Sequence, residues 1–402
     1  MKINKNISLK IVFFGILAII FWNDFLPSAN SFFNLLNPDY PVYNIDFYSY
    51  YRGSRLYLSG IDPYENINNG QLFIYPPTFV PLYAQISKLD YETARYLWVW
   101  IYSACFLISV ILLLSRVKPE DRDKMVFTIV LILLLSYPVK FLIRQGQIDL
   151  IVASLCFTSL ILYLNHRHNL SALTLAAATL IKVSPVLLLI TFFVFFRDWK
   201  YLIRYGTAVV GLVGISLLFF PFDWYRIYFT TVLPSLSVSN PSYYQQTLAR
   251  FLAGSAKKTR LLSMFGYGLM SICAWIIGHR YIKQIKEIRN GNITSFNEFI
   301  AVAFFFCNSI VTLIFSASAW LMTYTWFILP AAWIIWFAYK NIQPWLLFIL
   351  LIGVAMIHGQ LLLFNEINMS GAIICLLCLI GALFFPDVIL KNKMELQLND
   401  LS

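Results

Sequence analysis

Charge is scarce in this chain. Asp, Glu, Lys and Arg make up 12% of its 402 residues, hydrophobic residues make up 59%, and mean hydropathy is +0.71. Soluble domains carry roughly a quarter charged residues, so a surface wetted on every side is excluded. The little charge present leans one way, with 30 Lys and Arg against 19 Asp and Glu, a net +11. In a soluble protein that excess would suggest nucleic acid. In a membrane protein it marks basic residues retained on the cytoplasmic side with anionic membrane lipids as partners, and no nucleic acid is expected.

Cysteine and histidine are few as well, six and four. All six cysteines fall inside apolar runs. Cys375-Leu376-Leu377-Cys378 has CxxC spacing but lies in a leucine-rich segment with no second pair, so these thiols read as small buried hydrophobes. His166, His168, His279 and His358 show no ligand spacing with carboxylates. No metal site, P-loop or Ser-His-Asp arrangement can be built, so nucleotide hydrolysis is unlooked for and neither metal nor cofactor is expected. Internal repeats and low-complexity tracts are missing too.

What fills the chain is hydrocarbon-soluble helix. Apolar runs fall at 11–27, 96–115, 125–143, 148–164, 170–196, 205–221, 261–279, 296–315, 321–338, 344–362 and 367–386. The first follows Lys2, Lys5 and Lys10. It ends on residues too large for a signal-peptidase site, and is expected to be a retained span. The run at 170–196 is broken by Lys182-Val183-Ser184-Pro185, where proline removes a donor and disfavours helix before it. It is therefore one kinked span or two half-helices forming a hairpin.

The positive-inside rule chooses between them. With a hairpin and an inner N-terminus, eighteen of the 30 basic residues lie inside and eleven outside, with Lys182 at membrane depth. A single span reverses the bias, thirteen against sixteen. The expectation is an all-α polytopic membrane protein, a single domain over 1–402. About twelve transmembrane or half-membrane helices are expected, with both termini cytoplasmic and long outer loops at about 28–95 and 222–260.

Residues able to carry chemistry gather at that outer side. Asp46 stands in a polar, aromatic-rich stretch, Asn44 to Arg52, that continues through Asp62-Pro63-Tyr64 to Tyr75-Pro76-Pro77. Outer loops contain acids routinely, and Asp39, Asp62, Glu65, Asp90 and Glu92 share this one; Asp62-Pro63 reads as turn chemistry. Lys182 sits where a charge costs roughly 2.5–3.5 kcal/mol, so it is paired, snorkels or lines a polar cavity; a phosphate near the outer leaflet is the preferred ligand. Arg144-Gln145-Gly146-Gln147-Ile148-Asp149 joins two spans. Arg144 suits a phosphate, Gly146 permits close backbone approach, and Gln147 and Asp149 offer sugar hydroxyls donors and acceptors. An ordinary polar turn would use the same residues. In the second outer loop, Asn240 and Ser242 lead to Arg250, the better ligand candidate there. Trp320 borders the same cavity or belongs to the interfacial aromatic belt.

In this order the pieces resemble glycosyltransferase family 87, of the GT-C superfamily. The shared pattern is Asp46…Tyr51…Gly60-x-Asp62-Pro63-Tyr64…Tyr75-Pro76-Pro77, then Gly146-Gln147-x-Asp149, Lys182-x-x-Pro185 and the Asn240/Ser242…Arg250 stretch. Asp149 stands where many members have Asn, and 318–324 lacks histidines that some relatives carry.

The resemblance implies a GT-C-like helical bundle and a hexosyltransferase of the cell (inner) membrane. Its donor would be a polyprenyl-phosphate-linked sugar, mannose first among them, and its acceptor a lipid or glycan on the outer face, as in cell-envelope glycans. Asp46 would be the catalytic base of an inverting displacement. Lys182, Arg144 and Arg250 would hold the donor phosphate, and Tyr51, Tyr75, Gln147, Asp149, Asn240 and Trp320 would bind sugar or acceptor. Two other classes share parts of this pattern: a transporter or flippase of lipid-linked sugar, and an oligosaccharide polymerase or ligase. A pseudo-repeat would favour transport, and none is detectable.

Overall fold

The computed structural model describes residues 45–64, 73–236, 247, 256–316, 319–359 and 367–385. The described residues are helical and contain no strand. Fourteen α-helices of eight or more residues organise them. The N-terminal group is α1 (Ile45–Leu58), α2 (Val80–Ser87), α3 (Tyr91–Leu114), α4 (Arg122–Leu135), α5 (Tyr137–Gln145), α6 (Asp149–Leu164), α7 (His168–Ile181) and α8 (Trp199–Ser216). The C-terminal group is α9 (Ala256–Arg280), α10 (Ile282–Asn290), α11 (Ser295–Ile314), α12 (Ile328–Asn341), α13 (Pro344–His358) and α14 (Ile367–Phe384).

Four of the described helices are long and apolar enough to cross a membrane: Tyr91–Leu114, Arg260–Arg280, Ser295–Ile314 and Leu321–Tyr339. A fifth is added if the bent pair Pro119–Leu135 and Tyr137–Gln145 counts as one span, and five apolar helices are shorter. The expected first span at 11–27 lies outside the described residues. Only 22% and 28% of the first two spans is buried, against 100% and 89% of the last two, so α3 and α9 face lipid while α11 and α12 form the interior. Sequence and caps agree at the helix starts. Asp90 accepts from Thr93 N at 3.0 Å ahead of α3, and Thr294 accepts from Asn297 N at 3.2 Å ahead of α11.

Two runs are not the straight rods that their hydropathy suggests. The run at 125–143 breaks at Ser136, where α4 and α5 meet at 64°. Ser136 is extended (φ −79°, ψ 106°), its hydroxyl accepts from Val139 N at 3.3 Å, and Pro138 has no N–H to continue the ladder. The run at 170–196 leaves its helix at Lys182 (φ −147°, ψ 128°), then turns through a 3-10 segment, Ser184–Leu188, and a π-helix, Ile190–Phe195. His168 at its start and Phe196 at its end both pack on Tyr163, with ring centroids 4.7 and 4.8 Å away. The chain therefore goes out and comes back. At fourteen residues α7 is about 21 Å long, well short of a bilayer core, and Lys182 marks the tip of a hairpin.

The segments expected as outer loops also depart from irregular structure, since α1 and α2 lie within the first. They meet the second near its start. Tyr57 donates to Phe219 O at 3.3 Å, the rings of Tyr64 and Tyr228 stand 6.2 Å apart, and the hydroxyls of Thr78 and Tyr225 are hydrogen-bonded. Gly53 is what lets α1 lie against Phe73, because a Cβ there would come within 2.7 Å of that ring.

Candidate active site

Asp46 occupies the first turn of α1, one position ahead of a buried face made by Phe47, Tyr50 and Ser54. That i, i+3, i+7 spacing seats α1 against α2 and α3, where Phe47 meets Tyr83 and Tyr91, and Tyr50 meets Phe79, Tyr83 and Trp98. Aromatic packing of this kind holds the acid on a rigid element.

The turn between α5 and α6 comes up to meet it. Gly146 adopts φ 66°, ψ 33° at the C-cap of α5, a left-handed conformation that glycine takes without strain. Its carbonyl accepts from Trp98 Nε1 at 2.9 Å, which ties the turn to α3. Gln147 follows, buried, and its amide orientation is fixed by three donors. Oε1 lies 3.0 Å from the Tyr50 hydroxyl, 3.3 Å from the Tyr75 hydroxyl and 3.1 Å from Ile148 N. Tyr50 also reaches Tyr75 at 2.8 Å. With Oε1 taken by donors, the amide nitrogen is left to donate, and Gln147 hydrogen-bonds the Asp46 carboxyl.

Burial dominates the electrostatics of Asp46 and pushes its carboxyl up from 3.8 to about 6. The Gln147 hydrogen bond opposes that shift, the Asp149 charge adds to it, and Lys182 counters it. Asp46, Gln147, Asp149 and Lys182 are thus one electrostatic unit drawn from three parts of the chain.

Lys182 and Asp149 form its second half. Lys182 Nζ donates to Asp149 Oδ1 at 2.6 Å and to Thr323 Oγ1 at 3.5 Å. Asp149 is fully buried at the first turn of α6, where the helix dipole favours a negative charge. Its second oxygen, Oδ2, has no partner among the described residues. Lys182 keeps 21% side-chain exposure, so its ammonium is open on one side.

The remaining expected residues fall as follows. Tyr75 is buried in the Gln147 network, and its backbone carbonyl accepts from the Tyr64 hydroxyl at 2.6 Å. Tyr51 turns away to donate to Leu89 O at 2.8 Å and stacks edge-on to Tyr91, a role in holding α1 in place. Arg144 is exposed in the last turn of α5. Trp320, 37% exposed, precedes the 3-10 segment Leu321–Phe327 that carries Thr323. Asn240 and Arg250 lie outside the described residues. Asp149 was expected against sugar hydroxyls, and in the structure it is first the partner of Lys182. Sequence reasoning missed Tyr50 and Thr323. Tyr50 was findable, since it stands four residues after Asp46 on one helical face, but Thr323, in a run of apolar and aromatic residues, gave no signal.

A helical membrane protein that gathers a half-buried carboxylate and a lysine–aspartate pair where a broken helix meets the turn between two others belongs to the integral membrane enzymes. The pattern of glycosyltransferase family 87 matches residues 73–284, just over half the chain, and the chain belongs to that family. It is a membrane glycosyltransferase. No curated protein matches the chain.

Proposed function

We propose that the protein transfers a hexose, mannose in the first instance, from a polyprenyl-phosphate-linked donor to a hydroxyl of a lipid or glycan acceptor on the outer face of the cell membrane. The observation that carries this reading is the raised, Gln147-bonded carboxyl of Asp46 facing the electrostatic reach of the Lys182–Asp149 pair. A base and a cation at one site are what a displacement at an anomeric carbon with a phosphate leaving group requires.

The acceptor oxygen attacks the anomeric carbon, and its proton passes to Asp46. The bond from that carbon to the phosphate oxygen breaks, and its electron pair leaves with the polyprenyl phosphate. Lys182 meets the charge that develops there. Its ammonium has three protons, of which Asp149 takes one and Thr323 a second, so the third remains for a phosphate oxygen. Asp149 acts as the positioning residue that aims Lys182. Arg144 and Arg250 are proposed as further phosphate contacts, and Tyr75, Gln147, Asn240 and Trp320 as the sugar or acceptor wall. A single displacement inverts the anomeric configuration. The end of the bundle that holds Asp46 faces outward, and both termini face the cytoplasm.

The test is transfer from radiolabelled polyprenyl-phosphate-mannose to a crude lipid and glycan acceptor pool in liposomes, comparing wild type with Asp46→Asn. Transfer that collapses in the variant while donor binding persists supports the reading. Equal transfer by both removes Asp46 from the mechanism. Labelled lipid crossing the bilayer without transfer would replace the enzyme by a transporter, and a product of retained configuration would sink the single displacement.

A further inference from the structure

A second feature lies at the other end of α6. That helix starts at Asp149, in the candidate site, and its sixteen residues carry the chain about 24 Å to Leu164. There, between the end of α3, the turn from α6 to α7 and the turn after α10, the structure opens a cleft of about 580 Å³. Its lining combines polar residues, Ser115, Arg116, His166 and Arg167, with apolar ones, Leu112 and Leu162.

The polar part of the lining is built and carries unspent positive charge. Arg116 is fixed by a salt bridge from Nε to Glu298 and a hydrogen bond from Nη1 to Asn165, so its guanidinium plane is held and Nη2 has no partner among the described residues. The Arg167 side chain is exposed and makes no hydrogen bond or ion pair among the described residues; only its backbone is bonded, to Leu162 O and from Ser171 N. His166, at φ 58°, turns the chain so that its ring lies 3.5 Å from where a Cβ on Gly291 would be. Beyond the rim the excess continues. Arg197 buries its Nε and Nη2 with no partner among the described residues, and Arg289 Nη1 reaches the Arg197 carbonyl at 3.5 Å. Among the described residues the acids that pair or bond at this end are Glu298, Asp198, Glu287 and Asp121, the last with Lys124.

A fixed guanidinium edge beside a free one suits a phosphate. The apolar part of the lining, at the end of two apolar helices, suits the chain of a lipid and gives a free phosphate nothing to bind. From this geometry we infer that the cleft is a binding site for the phosphate headgroup of an anionic membrane lipid, with the acyl chain lying along Leu112 and Leu162. It is separate from the transfer site and does not depend on the reading of that site.

Native mass spectrometry of the full chain in mild detergent tests this, with phosphatidylglycerol as the probe and phosphatidylcholine and inorganic phosphate as comparisons. Phosphatidylglycerol should be retained over phosphatidylcholine, and Arg167→Gln should weaken it about fivefold, the usual effect of one basic residue near a charged headgroup. Arg116→Lys keeps the charge but loses the planar fork, and should weaken retention as well. Should that variant fail to fold, Arg167→Gln, which removes no internal contact, decides alone. Lys124→Gln, a change at an exposed lysine outside the cleft, should have no effect. Equal retention of both lipids, or equal damage from Lys124→Gln, would overturn the inference. Displacement of phosphatidylglycerol by inorganic phosphate at matched concentration would overturn the lipid and leave an anion site.

Discussion

Asp46 is held in a state that suits catalysis and works against folding. A carboxyl at about 6 instead of 3.8 is a stronger base than an exposed aspartate, yet still ionised at neutral pH. The native state then binds this proton more tightly than the unfolded chain does. Stability from this group therefore rises as pH falls from about 6 towards 3.8 and is lowest above 6, where the carboxylate is ionised. The transfer rate should show an acid limb with a midpoint near 6, because protonation removes the base. Gln147→Leu should move that limb upward, since its hydrogen bond favours the charged form. A pH profile of kcat/KM from 4.5 to 8 decides both, and a flat profile in that range would separate Asp46 from the chemistry. Asp46→Asn should lose about 10²–10⁴-fold in rate. Thermal unfolding at pH 7.5 should show the same variant stabilised, by up to about 3 kcal/mol, from roughly 1.4 kcal/mol per pKa unit.

Lys182 and Asp149 behave in the opposite sense. Removing one member of a buried pair strands the other, at a cost of about 3–5 kcal/mol. Lys182→Met would leave Asp149 with two unpartnered oxygens instead of one, apart from any group that rearranges to meet it. The single variant should unfold at a clearly lower temperature. The double variant Lys182→Met with Asp149→Leu should recover most of that stability while transfer stays lost. Restored transfer in the double variant would show that the cation is structural only.

The elements show which signals in a sequence carry over to structure. Lys182-Val183-Ser184-Pro185 marked a break because a charge and a proline coincide in an apolar run, and the hairpin is there. Ser136-Tyr137-Pro138 marks a second break, of 64°, but the leucines and isoleucines ahead of it hide it in any hydropathy window. Helix α1 was hidden for the converse reason. Its aromatic and polar residues average to no hydropathy at all, so the periodicity of Phe47, Tyr50 and Ser54 was the only trace. Candidate residues were legible one at a time, while the pairing of Lys182 with Asp149, thirty-three positions apart, needs the fold. The α5–α6 turn deserves the element-scale test. Gly146→Ala places a Cβ on a left-handed residue at about 1 kcal/mol and shifts the peptide leading to Gln147. If Gln147 orients the proposed base and does not touch the phosphate, transfer should fall severalfold while donor affinity holds. A matching loss of donor binding would mean that the turn contacts the donor itself.

At the scale of the whole molecule the two ends differ in aromatic and basic content, and the positive-inside rule turns that difference into a prediction of orientation. The end with Asp46 is aromatic and hydroxyl-rich, built from Tyr50, Tyr57, Tyr64, Tyr75, Tyr225 and Tyr228. The other gathers Arg116, Arg167, Arg197, Arg204 and Arg289 around His166 and His168. Against these stand Arg52, Arg55, Arg95, Arg144 and Arg226 at the Asp46 end, so the basic excess over that end comes from further residues such as Lys118, Arg122, Lys124 and Lys200. Positive charge is retained on the cytoplasmic side during insertion, and an anionic leaflet surface then holds it there. All six cysteines are free, so a variant lacking them can carry single reporters. A cysteine at the exposed Ile61 should react with a membrane-impermeant maleimide in intact cells, and one at the exposed His166 only after permeabilisation. The reverse pattern would place Asp46 on the cytoplasmic side, where a soluble nucleotide-sugar could reach it. A lipid-linked donor, whose sugar has already been carried across the bilayer, would then no longer be needed to explain the fold.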